Sequence, residues 1–315
     1  GQVDDRVLPK ESPALVASNL LRERFDGRES SPIEILVQGS DSAVNEYLDQ
    51  LQDQPDIVRV GIVPTDQDTS WVRINAITDL EPRSPEGLEQ TVSLRGLESN
   101  LDQVLIGGGG AYYTDSQQGI EQALPLAALW IFVSTFILLF LFTGSVLLPL
   151  KAILLNVLSL GAILGVLSFV FQNGHLQWLL GEYSVTGTID TSSLVMVAVV
   201  AFGLSMDYEL FLLSRIKEQH DAGMNTLNSV AIGLQRSGRI ITAAAFILAV
   251  TFGSFASSGV SIMKMLGFGI AFAILIDATI VRALLVPALM RLFGAANWWA
   301  PKWLTRIYKK VNLTH

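Results

Sequence analysis

Asp207 and Tyr208 stand side by side in an otherwise apolar, glycine-containing run, Leu194-Val-Met-Val-Ala-Val-Val-Ala-Phe-Gly-Leu-Ser-Met-Asp-Tyr-Glu-Leu-Phe-Leu-Leu213. On a helix rising about 1.5 Å per residue, Asp207 lies about 20 Å from Leu194, well inside a hydrocarbon core about 30 Å thick. An ionised carboxylate at that depth is costly unless paired, so the side chain is expected to face protein and to exchange a proton. The plainer alternative is an Asp that caps or pins a neighbouring helix. A second acid, Asp277, falls about 18 Å into the last apolar run when counted from Met265, and Arg282 follows about a turn later. Asp277 reads either as a second relay group or as the ion-pair partner, of Arg282 or of another helix, that holds the bundle. Thr242, Thr251 and Ser254 offer hydroxyls to either acid, although such residues are ordinary packing material between membrane helices, as are Gly203 and Ser205. Glu209, nearer the inner surface, is expected to contact Arg215 or water.

Other chemistries find little footing. The run Gly107-Gly-Gly-Gly110 follows a strand and precedes a helix, but it lacks the Lys-Ser/Thr end of a Walker loop and the spacing of a dinucleotide fingerprint. It reads as a flexible joint. The histidines, His175, His220 and His315, are scattered and show no metal-ligand spacing, and no nucleophile with a base is visible, so no enzyme, metal or cofactor is expected. The chain has no cysteine. Without a nucleotide-binding loop, energy for any transport has to come from an ion gradient, where one charge moving through 100 mV supplies about 2.3 kcal/mol.

The elements that must position these residues are set by segregation of charge and apolarity. Half of the 315 residues are hydrophobic and 16% charged, against about a quarter charged in ordinary soluble proteins. Residues 1–122 carry 9 Lys/Arg and 22 Asp/Glu, whereas residues 123–315 carry 12 and 7. The acidic first part argues against nucleic acid as a partner. Apolar runs of spanning length occur at about 123–143, 147–171, 192–214, 240–258 and 263–292, five helices in all. Lys151, Arg215, Lys217, Arg236, Arg239, Arg291, Lys302, Arg306, Lys309 and Lys310 gather at one set of ends, and the segment 172–193 has no Lys or Arg. The positive-inside rule then makes the tail 294–315 cytoplasmic and residues 1–122 extracytoplasmic. Trp178 and Tyr183 outside, with Trp298, Trp299 and Trp303 inside, fit interfacial aromatic belts. Leu227, Val230, Ala231 and Leu234 recur at helical spacing and read as a surface helix or a solvated linker helix between the third and fourth spans. The start Gly1-Gln2-Val3-Asp4-Asp5, without Met or a basic-then-apolar leader, reads as a fragment.

In the first part, after an amphipathic helix holding Leu15, Leu20 and Leu21, strands are expected at 33–38, 57–63, 71–77 and 103–106. Helices are expected at 43–54 and 85–101, the second with Ser84 as N-cap and Pro85 at its first position, and a turn at 64–70. The order βαββαβ is that of the ferredoxin-like split unit. The fold class is therefore α+β: a ferredoxin-like extracytoplasmic domain followed by an all-α bundle of five transmembrane helices.

Four separated stretches carry a family resemblance: Thr143-Gly-Ser-Val-Leu-Leu-Pro-Leu-Lys-Ala152, Gly203-Leu-Ser-Met-Asp-Tyr-Glu-Leu-Phe-Leu-Leu-Ser-Arg-Ile-Lys-Glu218, Leu234-Gln-Arg-Ser-Gly-Arg-Ile240 and Asp277-Ala-Thr-Ile-Val-Arg-Ala283. In this order they resemble the MmpL family of the resistance-nodulation-division superfamily, over nearly the whole chain. The resemblance implies an exporter of lipids or other hydrophobic molecules in the bacterial inner membrane, driven by protons, whose outer part is a porter domain. Full-length members have two repeated halves, and this chain resembles the second half without its opening span; its partners would be protons, lipid cargo, membrane lipids and the N-terminal half. The family's proton relay uses Asp-Tyr pairs on the central helices of both halves, and the matching residues here are Asp207 and Tyr208. Rival readings are a lipid-sensing or interaction module that does not transport, and an assistant to protein translocation similar to SecD and SecF. The Gly-Leu-Ser-Met-Asp-Tyr stretch favours the MmpL reading.

Overall fold

The computed structural model describes residues 8–9, 11–24, 31–64, 70–82, 84–183, 185 and 189–311. The turn expected at 64–70 falls largely outside them. The chain divides into two compact units, Gly1–Leu124 and Pro125–His315.

The first unit opens with α1 (Pro13–Arg24) and continues as β1 (Ile33–Gln38), α2 (Asp41–Gln52), β2 (Ile57–Val63), β3 (Trp71–Thr78), α3 (Pro85–Arg95) and β4 (Gln103–Gly108). The four strands form one sheet in the order β2-β3-β1-β4, antiparallel throughout. Period-two alternation turns Ile33, Ile35 and Val37 of β1 into the core while Glu34 and Leu36 stay exposed. On the buried face they meet Ile57, Ile74 and Ala76 of the neighbouring strands, Val44, Tyr47 and Leu51 of α2, and Leu94 of α3. Ser84 caps α3 as expected, its hydroxyl accepting from the Gly87 N–H at 3.1 Å. Helix α3 ends at Arg95, short of the expected residue 101, with Gly96 as its C-cap.

The glycine run is not a loose joint. Gly107 and Gly108 finish β4, and Gly109 and Gly110 open α4 (Gly109–Thr143) without an intervening loop. A Cβ on Gly108, where φ is +89°, would lie 2.6 Å from the Pro32 carbonyl oxygen, and one on Gly110 would lie 2.8 Å from the Thr91 hydroxyl. These positions are small because backbone and helix come too close for a side chain. Arg95 at the end of α3 then grips Asp115 of α4 with two hydrogen bonds, 2.6 and 2.9 Å.

The second unit is helical. Among the described residues, five helices are long and apolar enough to cross a membrane: Gly109–Thr143, Leu147–Gln172, Thr191–Asp221, Thr226–Ser257 and Ser261–Trp298. After α4 these comprise α5 (Leu147–Leu167) with a π-helical extension Ser168–Gln172, then, past the short α6 (Gln177–Leu180), α7 (Thr191–Asp221) and α8 (Thr226–Gly253). The last is composite: α9 (Ser261–Ile276), a π-helical segment Asp277–Leu285, and α10 (Val286–Phe293), before the tail helix α11 (Lys302–Val311).

No separate surface helix lies between the third and fourth of these. The stretch holding Leu227 to Leu234 is the first part of α8 itself, capped by Asn225, with Val230 buried. At Gly233 a Cβ would stand 2.6 Å from Cγ1 and 3.0 Å from the backbone N of Ile216, so α7 and α8 approach to backbone contact there. Gly267 does the same for α8 and α9, a Cβ there falling 2.6 Å from the Phe252 carbonyl oxygen. Gly203, read as a close-approach residue, has open space where its Cβ would be.

Tyr183 is likewise not a belt residue. It is buried against Phe171, and its hydroxyl donates to the Val170 carbonyl at 2.7 Å. Trp178 is 82% exposed.

Candidate functional site

Helix α7 and the π-helical segment of the last span build the polar centre of the helical unit. On an α-helix five residues turn through about 500°, which leaves Asp277 and Arg282 about 140° apart. The i→i+5 bonding of the π-helical segment Asp277–Leu285 widens the turn and brings both side chains to one face. There the Arg282 guanidinium forms an ion pair with Oδ2 of Asp277, and the two side chains are 3% and 9% exposed.

Ser205 of α7 closes the cluster. Its hydroxyl donates to Oδ1 of Asp277 at 2.6 Å, and its carbonyl accepts from Nη2 of Arg282 at 2.6 Å. The guanidinium carbon sits 4.9 Å from the centre of the Tyr208 ring, a cation–π distance. Nε and Nη1 of Arg282 are buried without a hydrogen-bond partner among the described residues. A buried charge pair with spare donors is a costly way to join two helices, since apolar residues of similar volume do so as well or better. That cost is the physical reason to read the cluster as more than packing.

Asp207 is placed differently. It is exposed on the surface of the helical unit, Tyr208 is half-buried, and Glu209 is buried. Successive helix positions are about 100° apart, so residues 207 and 209 face nearly opposite ways. Tyr208, between them, is within electrostatic reach of Arg282, Asp277 and Asp207. The structure thus joins Asp277, Arg282, Ser205 and Tyr208, and sets Asp207 on the outer face with Met196 and Val199, which are 53% and 59% exposed.

Three sequence expectations change here. The hydroxyls of Thr251 and Ser254 donate to carbonyls of their own helix, of Ile247 and Thr251, and Ser205 takes the role considered for them. Glu209 is 4% exposed and does not meet Arg215, which pairs with Glu218 at 3.0 Å instead. Lys151, counted among the loop cations, lies on α5 at 8% exposure and donates to Oδ1 of Asn297. The spacing of Ser205 and Glu209, four residues apart, was the available signal that they share a face.

An α+β unit with an antiparallel sheet, followed by five membrane-length helices with a buried ion pair among them, defines a multi-pass membrane protein with charge inside its bundle. The chain belongs to the MMPL family, whose profile matches residues 6–311. It is 37% identical over 312 residues to a membrane protein of Streptomyces coelicolor, covering 98% of this chain and 43% of that one. It is 43% identical over 212 residues to the trehalose monomycolate exporter MmpL3 of Mycobacterium tuberculosis, covering 67% of this chain and 22% of the exporter. With MmpL11 of Mycolicibacterium smegmatis, an exporter of mycolic acid-containing lipids, the identity is 33% over 279 residues, 87% of this chain and 29% of that protein. The chain therefore spans less than half the length of these curated relatives.

Proposed function

We propose that this chain is the C-terminal half of a transporter that exports lipids or other hydrophobic molecules across the bacterial inner membrane, driven by protons. The single observation that carries this reading is the Asp277–Arg282–Ser205 cluster, buried among membrane-length helices beside Tyr208. Family membership and the two named lipid exporters among the relatives support the cargo class. Asp207 supports the half-transporter reading: an acid in an apolar helix, outward-facing with Met196 and Val199, is costly against lipid and calls for protein cover.

In this reading Asp207 and Tyr208 form the relay shared with the other half, and Asp277 with Arg282 is the secondary station that senses it through Tyr208. Protonating an acid removes its hold on a cation or hydroxyl, so the two protonation states favour different helix packings. Residues 1–122 form the ferredoxin-like porter domain, supported by the βαββαβ element order and the β2-β3-β1-β4 sheet. Residues 123–293 are the membrane domain, and 294–315 the cytoplasmic tail.

The function is tested in cells by following cargo at the outer surface. Collapsing the proton gradient with an uncoupler is expected to stop export within the time needed to dissipate the gradient, while lowering ATP with the gradient clamped leaves it running; the reverse pattern contradicts the proposal. Orientation is tested with Asp49→Cys and Ala222→Cys in a transporter freed of any cysteine outside this cysteine-free chain. A membrane-impermeant thiol reagent is expected to label position 49 in intact cells and position 222 only after permeabilisation.

A further inference from the structure

The stretch Thr143–Ala152, which the relay leaves unused, builds a second polar centre in the helical unit. The Thr143 hydroxyl bonds to the Leu139 carbonyl at 2.8 Å, and Gly144, at φ +70°, leaves room for the Tyr308 ring. Ser145 donates to the Asn297 carbonyl at 2.5 Å, and the Val146 N–H donates to the Trp299 carbonyl at 3.1 Å. Asn297, fully buried, ties the Met290 and Gly294 carbonyls at 2.7 and 2.6 Å and accepts from Lys151. These bonds fasten the turn between α4 and α5 to the end of the last span.

Glu209 lies beside this clasp. It and Lys151 line one half-open cavity of about 10 Å³, walled by Leu148, Leu155, Leu213 and Met290, close to the smallest space that holds a water. Lys151 gives its hydrogen bond to Asn297 and faces Glu209 as a charge across that space. The charged groups around Glu209 are Lys151 from α5, on the same cavity, and Asp277 and Arg282 from the π-helical segment, both hydrogen-bonded to Ser205 one turn before Glu209 on α7. Tyr208 is its neighbour on α7, half-buried. Two carboxyls, one cation for each and one small cavity are therefore stacked between Ser205 and Asn297.

We infer that Glu209 is a further proton-carrying residue of this bundle, taking a proton from the Asp277–Arg282 cluster and releasing it on the side where Ser145, Asn297 and Trp299 meet. In the transfer the O–H bond of a protonated Asp277 breaks, Asp277 returns to its ion pair with Arg282, and an O–H bond forms on Glu209. Glu209 then gives the proton to water, and Lys151 is the counter-charge of the carboxylate left behind. The inference rests on the proton-coupled reading above, and its test includes a readout independent of transport.

That readout is the infrared difference spectrum of the purified transporter between acid and alkaline pH. Glu209→Gln is expected to remove one protonated-carboxyl band that Asp277→Asn leaves in place, and to slow export by about 100-fold, as for loss of a proton-transfer group. Glu209→Asp is expected to shift the band and restore part of the rate, and it replaces Glu209→Gln if that variant does not fold. A Glu209→Gln spectrum identical to wild type, or a wild-type export rate, overturns the inference. If the wild-type protein exports nothing under a proton gradient while the Glu209 band still titrates, the proposed function fails and Glu209 stands as a proton site.

Discussion

Arg282→Met is expected to lower the stability of the helical unit by about 3–5 kcal/mol, the usual cost of stranding one partner of a buried ion pair. It is also expected to abolish export. The stability loss comes from Asp277, which keeps its hydrogen bond from Ser205 but loses the guanidinium paired with Oδ2. The double variant Asp277→Leu/Arg282→Met removes both charges, and is expected to regain most of the stability because apolar pairs of similar volume pack as well as ionic ones. Export is not expected to return with it. Thermal unfolding in detergent and export assays separate the two effects. Recovery of transport in the double variant would make the cluster a structural pin.

Asp207→Asn is expected to have the opposite profile. Within this chain the side chain is exposed and no described contact depends on it, so the stability of this half taken by itself should change by no more than about 0.5 kcal/mol, the usual range for a surface position. Export should fall by about 100-fold or more, because the amide keeps the shape of the protonated acid but cannot exchange a proton. Tyr208→Phe keeps the ring under Arg282 and removes only the hydroxyl, so it is expected to fold normally and to impair export less than Asp207→Asn. Adjacent helix positions point about 100° apart, which favours Tyr208 serving an acid of the other half while that half's tyrosine serves Asp207. A full-length structure with the Tyr208 hydroxyl facing lipid and far from every acid rules this pairing out.

The parts of this architecture visible in the sequence are those where water or lipid imposes a pattern. Ile33-Glu-Ile-Leu-Val-Gln38 alternates because one sheet face is wet, and Ser84-Pro85 marks a helix start because capping is local. The five spans show as apolar length alone. What length cannot show is which face of a span is buried, since lipid and protein core are equally apolar and leave no period to read. Asp207 outward and Glu209 inward therefore looked alike, as did Ser205 and Gly203. Lys151 resembled a loop cation because it lies only four residues into α5. The π-helical segment was hidden for another reason: a five-residue separation of Asp277 and Arg282 is a poor contact on an α-helix, and only the widened turn makes it a pair. The four glycines at 107–110 suggested freedom, where crowding by Pro32 at Gly108 and by Thr91 at Gly110 is what excludes side chains at those two positions.

The most direct measurement of proton-coupled lipid export uses purified transporter in proteoliposomes with a pH-sensitive dye inside and a fluorescent lipid cargo. Proton flux and cargo movement are recorded together while an imposed pH gradient is varied. Both are expected to rise with the gradient in the wild-type protein and to vanish together in Asp207→Asn. Cargo movement that continues at the same rate with the gradient collapsed, or in Asp207→Asn, would contradict the account.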